Sequence, residues 1–354
     1  MTALRERLPA ERAPMDKGGQ GTIFDRVKVP EPASNMTFAM LGQGQGGQYV
    51  GMGERLANVS PAAADVWNTA GRIIGPHFLP IVRGGTKEQL GETDITQPAI
   101  VADALARQAA LKEIDVPINA GIYTGLSLGF VTAVAFSGAA DAEKILTLVK
   151  ARGDATQTAN AIEPSSMMVL TGVDEQMVED VMKEFDLALC LENSDQQRVY
   201  GGARGKIADA IAKLSGILGT DAAKKVRELS IGGAFHSRFM QPAAAMYREA
   251  IKRANIGDPV NGRLIGITDA SSITTAEAIE EELLRQLTEP VSMRRVLEQM
   301  NRDGITNIAE LGNLPTIINM NRSMFQGEKE SIVYPQENDD GPPLVIAHQW
   351  RAAA

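Results

Sequence analysis

Cysteine is nearly absent: Cys190 is the single one in 354 residues, which excludes an intrachain disulfide and a cysteine-cluster metal site. That usage fits a reducing, cytoplasmic compartment. Basic residues are also in deficit. A net charge of −9 argues against a general nucleic-acid binder, which needs basic surface to displace counterions from phosphates. No apolar run approaches the ~20 residues that span a bilayer, so no membrane partner is expected. Histidine occurs only three times, as His77, His236 and His348, so chemistry that needs an imidazole has few candidates.

What remains is ordinary for a globular protein, with 44% hydrophobic and 22% charged residues. The length allows one large domain or two smaller ones. Residues 1–34 lack the apolar core of a secretory signal. Arg5, Arg7, Arg12 and Arg26 hint at a plastid-type transit peptide, but Glu6, Glu11, Asp16, Asp25 and Glu31 count against it. A disordered extension is the expectation for 1–34. Residues 326–354, with Asn338-Asp339-Asp340-Gly341-Pro342-Pro343, are expected to form an irregular tail.

Between these ends the chain reads as an α/β protein. Thr37 to Leu41 is a short buried strand that runs into the glycine-rich turn Gly42 to Gly47. Ser60-Pro61 opens a helix. Gln97-Pro98 opens another, with Val101, Ala104, Leu105 and Leu111 on one face. A strand near Ala120 to Thr124 meets Gly125-Leu126-Ser127-Leu128-Gly129, and an apolar run from Val131 to Phe136 follows. A helix from Ala142 is expected to end at Arg152, next to Gly153. The middle then changes character: strand 167–173, helix 175–185, strands 187–191 and 198–200, helix 206–214, strand 226–231. That β-α-β-β-α-β order is ferredoxin-like. It predicts a subdomain over 161–235 inserted into an α/β core made of 35–160 and 236–325. Helices over 240–254 and 274–287 follow, the latter with a capping box at Thr274 and Glu277, and then a strand over 305–311.

Gly125-x-Ser127-x-Gly129 matches the nucleophile-elbow pattern, in which small residues let a strand turn sharply into a helix and expose a serine hydroxyl. The alternative is a packed glycine turn. A serine needs a base at neutral pH, normally histidine. His236 follows the flexible Gly232-Gly233-Ala234-Phe235 and is the strongest of the three candidates; His77 and His348 read as surface residues. Gly42-x-Gly44-x-x-Gly47 formally satisfies a dinucleotide fingerprint. The second strand that a Rossmann unit requires is replaced by the Ser60-Pro61 helix, so these glycines read instead as letting backbone N–H groups approach a ligand oxygen. Arg152, by itself, reads as a solvated cation at a helix C-terminus, and Gln286 has no distinguishing feature of its own.

In order, these segments resemble the malonyl-CoA:acyl-carrier-protein transacylase family, in particular its plastid and cyanobacterial branch. Gly44-Gln45-Gly46-Gly47-Gln48 with Gly51-Met52 is similar to the family's opening motif, and Thr96-Gln97-Pro98-Ala99 to its next. Gly125 to Gly129, Arg152-Gly153, Gly233-Ala234-Phe235-His236, Gln286-Leu287 with Pro290-Val291, and Glu310-Leu311-Gly312 complete the series. The resemblance covers about residues 37–325.

It implies a hydrolase-like core with a parallel sheet and an inserted ferredoxin-like subdomain. It implies Ser127 as nucleophile and His236 as base, with the backbone carbonyl of Gln286 orienting the histidine. The N–H groups of Gln45 and Leu128 would form the oxyanion hole. Arg152 would grip the malonate carboxylate in a bidentate pair, and Phe235 would fill the space that a 2-methyl branch requires. Malonyl-CoA and an acyl carrier protein would be the partners, in fatty-acid or polyketide synthesis, with no metal or redox cofactor. Arg198, Arg204, Lys206 and Lys213 are candidates for a basic patch that receives an acidic carrier. There are departures at Leu41, Phe130, Ser194-Asp195-Gln196, Met293 and Asn313. The rival readings are a serine thioesterase or lipid acyl hydrolase using the same Ser127 and His236, and a non-catalytic carrier-binding subunit.

Overall fold

The computed structural model describes residues 38–113, 120–305, 307–312, 316–321, 331–333 and 346–349. The expected extension over 1–34 and the departure at Asn313 lie outside them.

Two sheets organise the chain. The larger is built from β1 (Phe38–Gly42), β2 (Ile122–Gly125), β7 (Arg263–Ile265), β8 (Ser272–Ile273), β10 (Asn307–Leu311), β11 (Ser331–Val333) and β12 (Ile346–Gln349), in the order β11-β12-β10-β1-β2-β7-β8. Its centre, β10-β1-β2-β7, is parallel, with antiparallel strands at both edges. Ala39, Met40, Leu41, Ile122, Tyr123, Leu264, Ile265, Ile308 and Ala309 are all buried. Continuous apolar strands of this kind belong to a parallel sheet covered by helices on both faces.

The smaller sheet holds β3 (Ser165–Thr171), β4 (Ala188–Ser194), β5 (Gln197–Ala203), β6 (Val226–Glu228) and β9 (Val291–Ser292), in the order β6-β3-β5-β4-β9. β3 to β6, with helices Glu175–Glu184 and Arg204–Leu218 between them, make the ferredoxin-like unit. Alternation along β3 divides the labour. Met168 and Leu170 face the unit's own core with Val178, Val181, Ile207 and Leu214. Met167 and Val169 join the main core on the other face, as do Cys190 and Val199. β9, from much later in the chain, pairs parallel to β4, and its Ser292 N–H donates at 2.8 Å to the carbonyl of Ile267 just after β7, which ties the two sheets together.

Four expectations need correction. The helix expected from Gln97-Pro98 spans Thr93–Glu113, with Pro98 inside it. Its first turn is held from outside, by the N–H groups of Ile95 and Thr96 on the Glu92 carbonyl and by the Thr96 hydroxyl on the Leu90 carbonyl. The helix expected to stop at Arg152 runs from Ala142 to Ile162. Gly153 does not end it; a Cβ there would lie 3.1 Å from the Asp94 Cα, so the glycine allows two helices to touch. The helix expected from Thr274 spans Ala276–Thr288, and Thr275 caps it by accepting from the Ala278 N–H. Finally, the tail expected to be irregular contributes β11 and β12, which extend the larger sheet beside β10. Among the described residues no helix is long and apolar enough to cross a membrane.

Candidate active site

β1 and β2 end side by side, with Gly42 opposite Gly125. A Cβ on Gly129 would overlap the Gly42 carbonyl, and one on Gly125 would overlap both Gly42 and Gly129. Only glycine lets the two strand ends and the following helix, Leu128–Phe136, come this close. The crowding fixes the backbone of Ser127 at φ 54° and ψ −108°, a strained conformation for a residue with a side chain. The motif is thus a strand-to-helix elbow rather than a relaxed glycine turn. Ser127 remains partly exposed while its neighbours on both sides are buried.

His236 also sits at positive φ, 63°. Its N–H donates to the Leu287 carbonyl at 2.9 Å, and Nδ1 donates to the Gln286 carbonyl. Since Nδ1 carries the proton there, Nε2 presents a lone pair to Ser127 Oγ, 2.8 Å away. The histidine loop is itself anchored to the smaller sheet, because the Ala234 N–H donates to Ser165 Oγ at 2.9 Å. Burial, helped by the Arg152 charge, pulls the His236 pKa down to about 3. The ring is therefore neutral at working pH, as a base must be. His77 is exposed and directly precedes the helix Phe78–Gly84, making no side-chain cap, and His348 lies in β12 opposite Ile308.

Arg152 departs furthest from its sequence reading. It is 1% exposed rather than solvated. Nη1 donates to Gln97 Oε1 at 2.6 Å and Nη2 to Ser127 Oγ at 3.2 Å, while Nε has no partner. No carboxylate among the described residues meets it. Burial lowers its pKa to about 10, so it stays cationic at neutral pH. A buried cation without a counter-ion is costly unless an anion arrives.

Phe235, 4% exposed, adjoins His236. Leu128 is the first residue of its helix, so its N–H has no helical partner. Gly44 brings the loop that carries Gln45 alongside, a Cβ on Gly44 coming 3.1 Å from the Leu126 carbonyl. The structure thus brings Ser127, His236, Arg152 and the Gln286 carbonyl into one constellation. The basic-patch candidates lie elsewhere, in the ferredoxin-like unit: Arg198 pairs with Glu175 at 3.3 Å and Lys213 with Glu184, whereas Arg204 and Lys206 are exposed.

Two residues escaped sequence reasoning. Gln97 stood only inside a motif; a fully buried amide that holds Arg152 is its structural content. Tyr247 had no signal at all, being one apolar-face position of the helix Gln241–Ala254. Among the described residues no group of three or more His, Cys, Asp or Glu could hold a metal.

Residues 41–334 match the acyl transferase domain family model. The chain is 29% identical over 281 residues to the malonyl CoA-acyl carrier protein transacylase of Haemophilus influenzae, covering 78% of this chain and 88% of that one. Among solved structures it is similar to the acyl-carrier-protein S-malonyltransferase of Bartonella henselae, with TM-score 0.74, 26% identity and coverage of 80% and 91%. It is also similar to a malonyl-transacylase solved in complex with a type II PKS acyl-carrier protein, with TM-score 0.73, 26% identity and coverage of 80% and 91%. With the family model spanning most of its length, the chain belongs to the acyl transferase domain family.

Proposed function

We propose that the chain moves a malonyl group from malonyl-CoA to the phosphopantetheine thiol of an acyl carrier protein, supplying fatty-acid or polyketide synthesis. One observation carries the choice of acyl group: Arg152 is buried, meets no carboxylate among the described residues and lies 3.2 Å from the Ser127 oxygen. An acyl chain with a free carboxylate supplies the missing anion; a neutral acyl chain leaves the charge unpaired.

The mechanism is ping-pong. Ser127 Oγ attacks the thioester carbonyl as its proton passes to His236 Nε2. The C–S bond breaks, and the CoA sulfur leaves with that proton. A malonyl-Ser127 ester remains. The carrier thiol, deprotonated by His236, then attacks the ester, and the proton returns to Ser127 Oγ. The Gln286 carbonyl stabilises the imidazolium formed in each half-reaction, and the N–H groups of Gln45 and Leu128 receive the oxyanion. Phe235 lines the acyl pocket beside the base. Both halves exchange a thioester and an oxygen ester, so no redox or metal cofactor is called upon. We take 35–160 with 236–325 as the catalytic core and 161–235 as the inserted subdomain. We place the reaction in the cytoplasm, consistent with the buried free thiol of Cys190.

The test is intact mass after mixing with malonyl-CoA, followed by addition of carrier protein. A malonyl adduct on the native chain, absent from Ser127→Ala and discharged onto the carrier, is the expected result. Release of CoA with no adduct and no loaded carrier would replace transfer with hydrolysis.

A further inference from the structure

Tyr247 lies on the helix Gln241–Ala254, which packs along the helix Ala142–Ile162 that carries Arg152. Its side chain is fully buried, and its hydroxyl meets no hydrogen-bond partner among the described residues. The Arg152 guanidinium is within electrostatic reach of that hydroxyl. Other polar atoms of the same site are also unpartnered and buried: Arg152 Nε, Gln97 Nε2 and both side-chain polar atoms of Gln286.

A buried hydroxyl without a partner is a poor structural choice. Phenylalanine fills almost the same volume and leaves no donor stranded. The oxygen of Tyr247 therefore makes sense if its partner arrives with the substrate. Burial pushes the phenol's pKa up, so the group is a neutral donor at working pH. A carboxylate offers about four acceptor positions, of which a guanidinium fork occupies two.

We propose that Tyr247 is a specificity residue of the acyl pocket: its hydroxyl, unpaired in the free enzyme, donates to the acyl carboxylate that Arg152 binds. This rests on the carboxylate-bearing acyl group proposed above. The carboxylate takes no part in bond making or breaking and keeps its charge throughout, so the contact acts alike on bound substrate and transition state. Its loss should raise KM and leave kcat nearly unchanged.

The experiment compares the full-length native chain with Tyr247→Phe. It measures kcat and KM for malonyl-CoA and acetyl-CoA and the thermal midpoint of each protein without ligand. Malonyl-CoA binding to Ser127→Ala, with and without the second change, isolates affinity from chemistry. A hydrogen bond to a charged group predicts a roughly ten- to hundredfold loss of kcat/KM for malonyl-CoA, carried by KM. Acetyl-CoA should be unaffected, and the thermal midpoint unchanged or higher. Equal loss on both acyl-CoAs with a lowered midpoint would make Tyr247 a structural residue. Unchanged malonyl kinetics would equally overturn the proposal. If the native chain forms no malonyl adduct, the functional reading fails before Tyr247 is tested, so the two failures are distinct.

Discussion

The seam around Ser127 and the outer face of the ferredoxin-like unit follow opposite rules. At the seam, polar groups are buried and unpaired, and two residues with side chains hold positive φ. On the outer unit, charges lie at the surface in pairs such as Lys183–Glu179, Lys213–Glu184 and Arg198–Glu175. Met168, Leu170 and their partners fill an unexceptional core beneath them. The contrast teaches that the seam is not optimised for the free protein's stability. Its strain and desolvation are held by the glycine contacts, by the anchored histidine loop and by β9. Changes that remove polar groups should therefore help the fold at the seam and harm it slightly on the outer unit.

The largest expected effect is His236→Ala, which should slow acylation by roughly 10²–10⁴-fold, since general-base help is worth about that much. Malonyl-CoA binding should persist, and single-turnover kinetics with a separate binding measurement separates the two. Next is Arg152→Met, which keeps volume and removes the charge. It should cost malonyl transfer about 3–5 kcal/mol, the cost of removing one partner from a buried pair. The ligand-free fold should be unchanged or more stable, by up to about 4 kcal/mol. Denaturant unfolding beside kcat/KM for malonyl- and acetyl-CoA reads both. A malonyl-to-acetyl ratio that does not move would defeat the carboxylate clamp.

Phe235→Ser should relax discrimination against methylmalonyl-CoA by no more than ~1–3 kcal/mol, the worth of one methyl group in a pocket. The ratio of kcat/KM for the two acyl-CoAs gives the figure.

A pH series tests the seam without mutation. The native His236 pKa, about 3, lies below the ordinary value of 6.5, so the unfolded chain binds the extra proton first. The stability associated with the neutral ring is full above pH 6.5. It declines as pH falls towards 3, by at most about 1.4 kcal/mol per unit. Urea midpoints between pH 7 and 5 should show that slope, and His236→Gln should lack it. Over the same range the His236 ring stays neutral, so the acylation rate should hold level. The smallest effect belongs to the outer unit: Lys213→Ala breaks a half-exposed ion pair and should cost less than about 1 kcal/mol, with acylation by malonyl-CoA unchanged.

Local patterns were legible in the sequence where residue type and neighbours alone decide them. Strands of apolar residues, the serine between two glycines and the β-α-β-β-α-β order all fall in that class. Readings failed where a distant segment decides. The helix over Thr93–Glu113 starts early because Glu92 and Leu90 supply carbonyls to its first turn. Arg152 was read as a solvated helix end because nothing nearby in sequence shows that the chain around Asp94 lies against Gly153. The tail was read as irregular because its strands need β10 as a template.

By itself the sequence determined the inventory: a serine in a glycine-flanked turn, one histidine after a flexible loop, and an arginine one helix later. It also determined where the backbone can turn, since steric freedom at glycine is a property of the residue. Tertiary structure alone decided that the arginine meets no carboxylate among the described residues, that Gln97 holds it, and that Tyr247 keeps an unpaired hydroxyl within its electrostatic reach. Those facts depend on contacts across 109 residues from Ser127 to His236, 55 from Gln97 to Arg152 and 50 from His236 to Gln286. Burial and pairing are properties of the packed neighbourhood. No local stretch of chain encodes them.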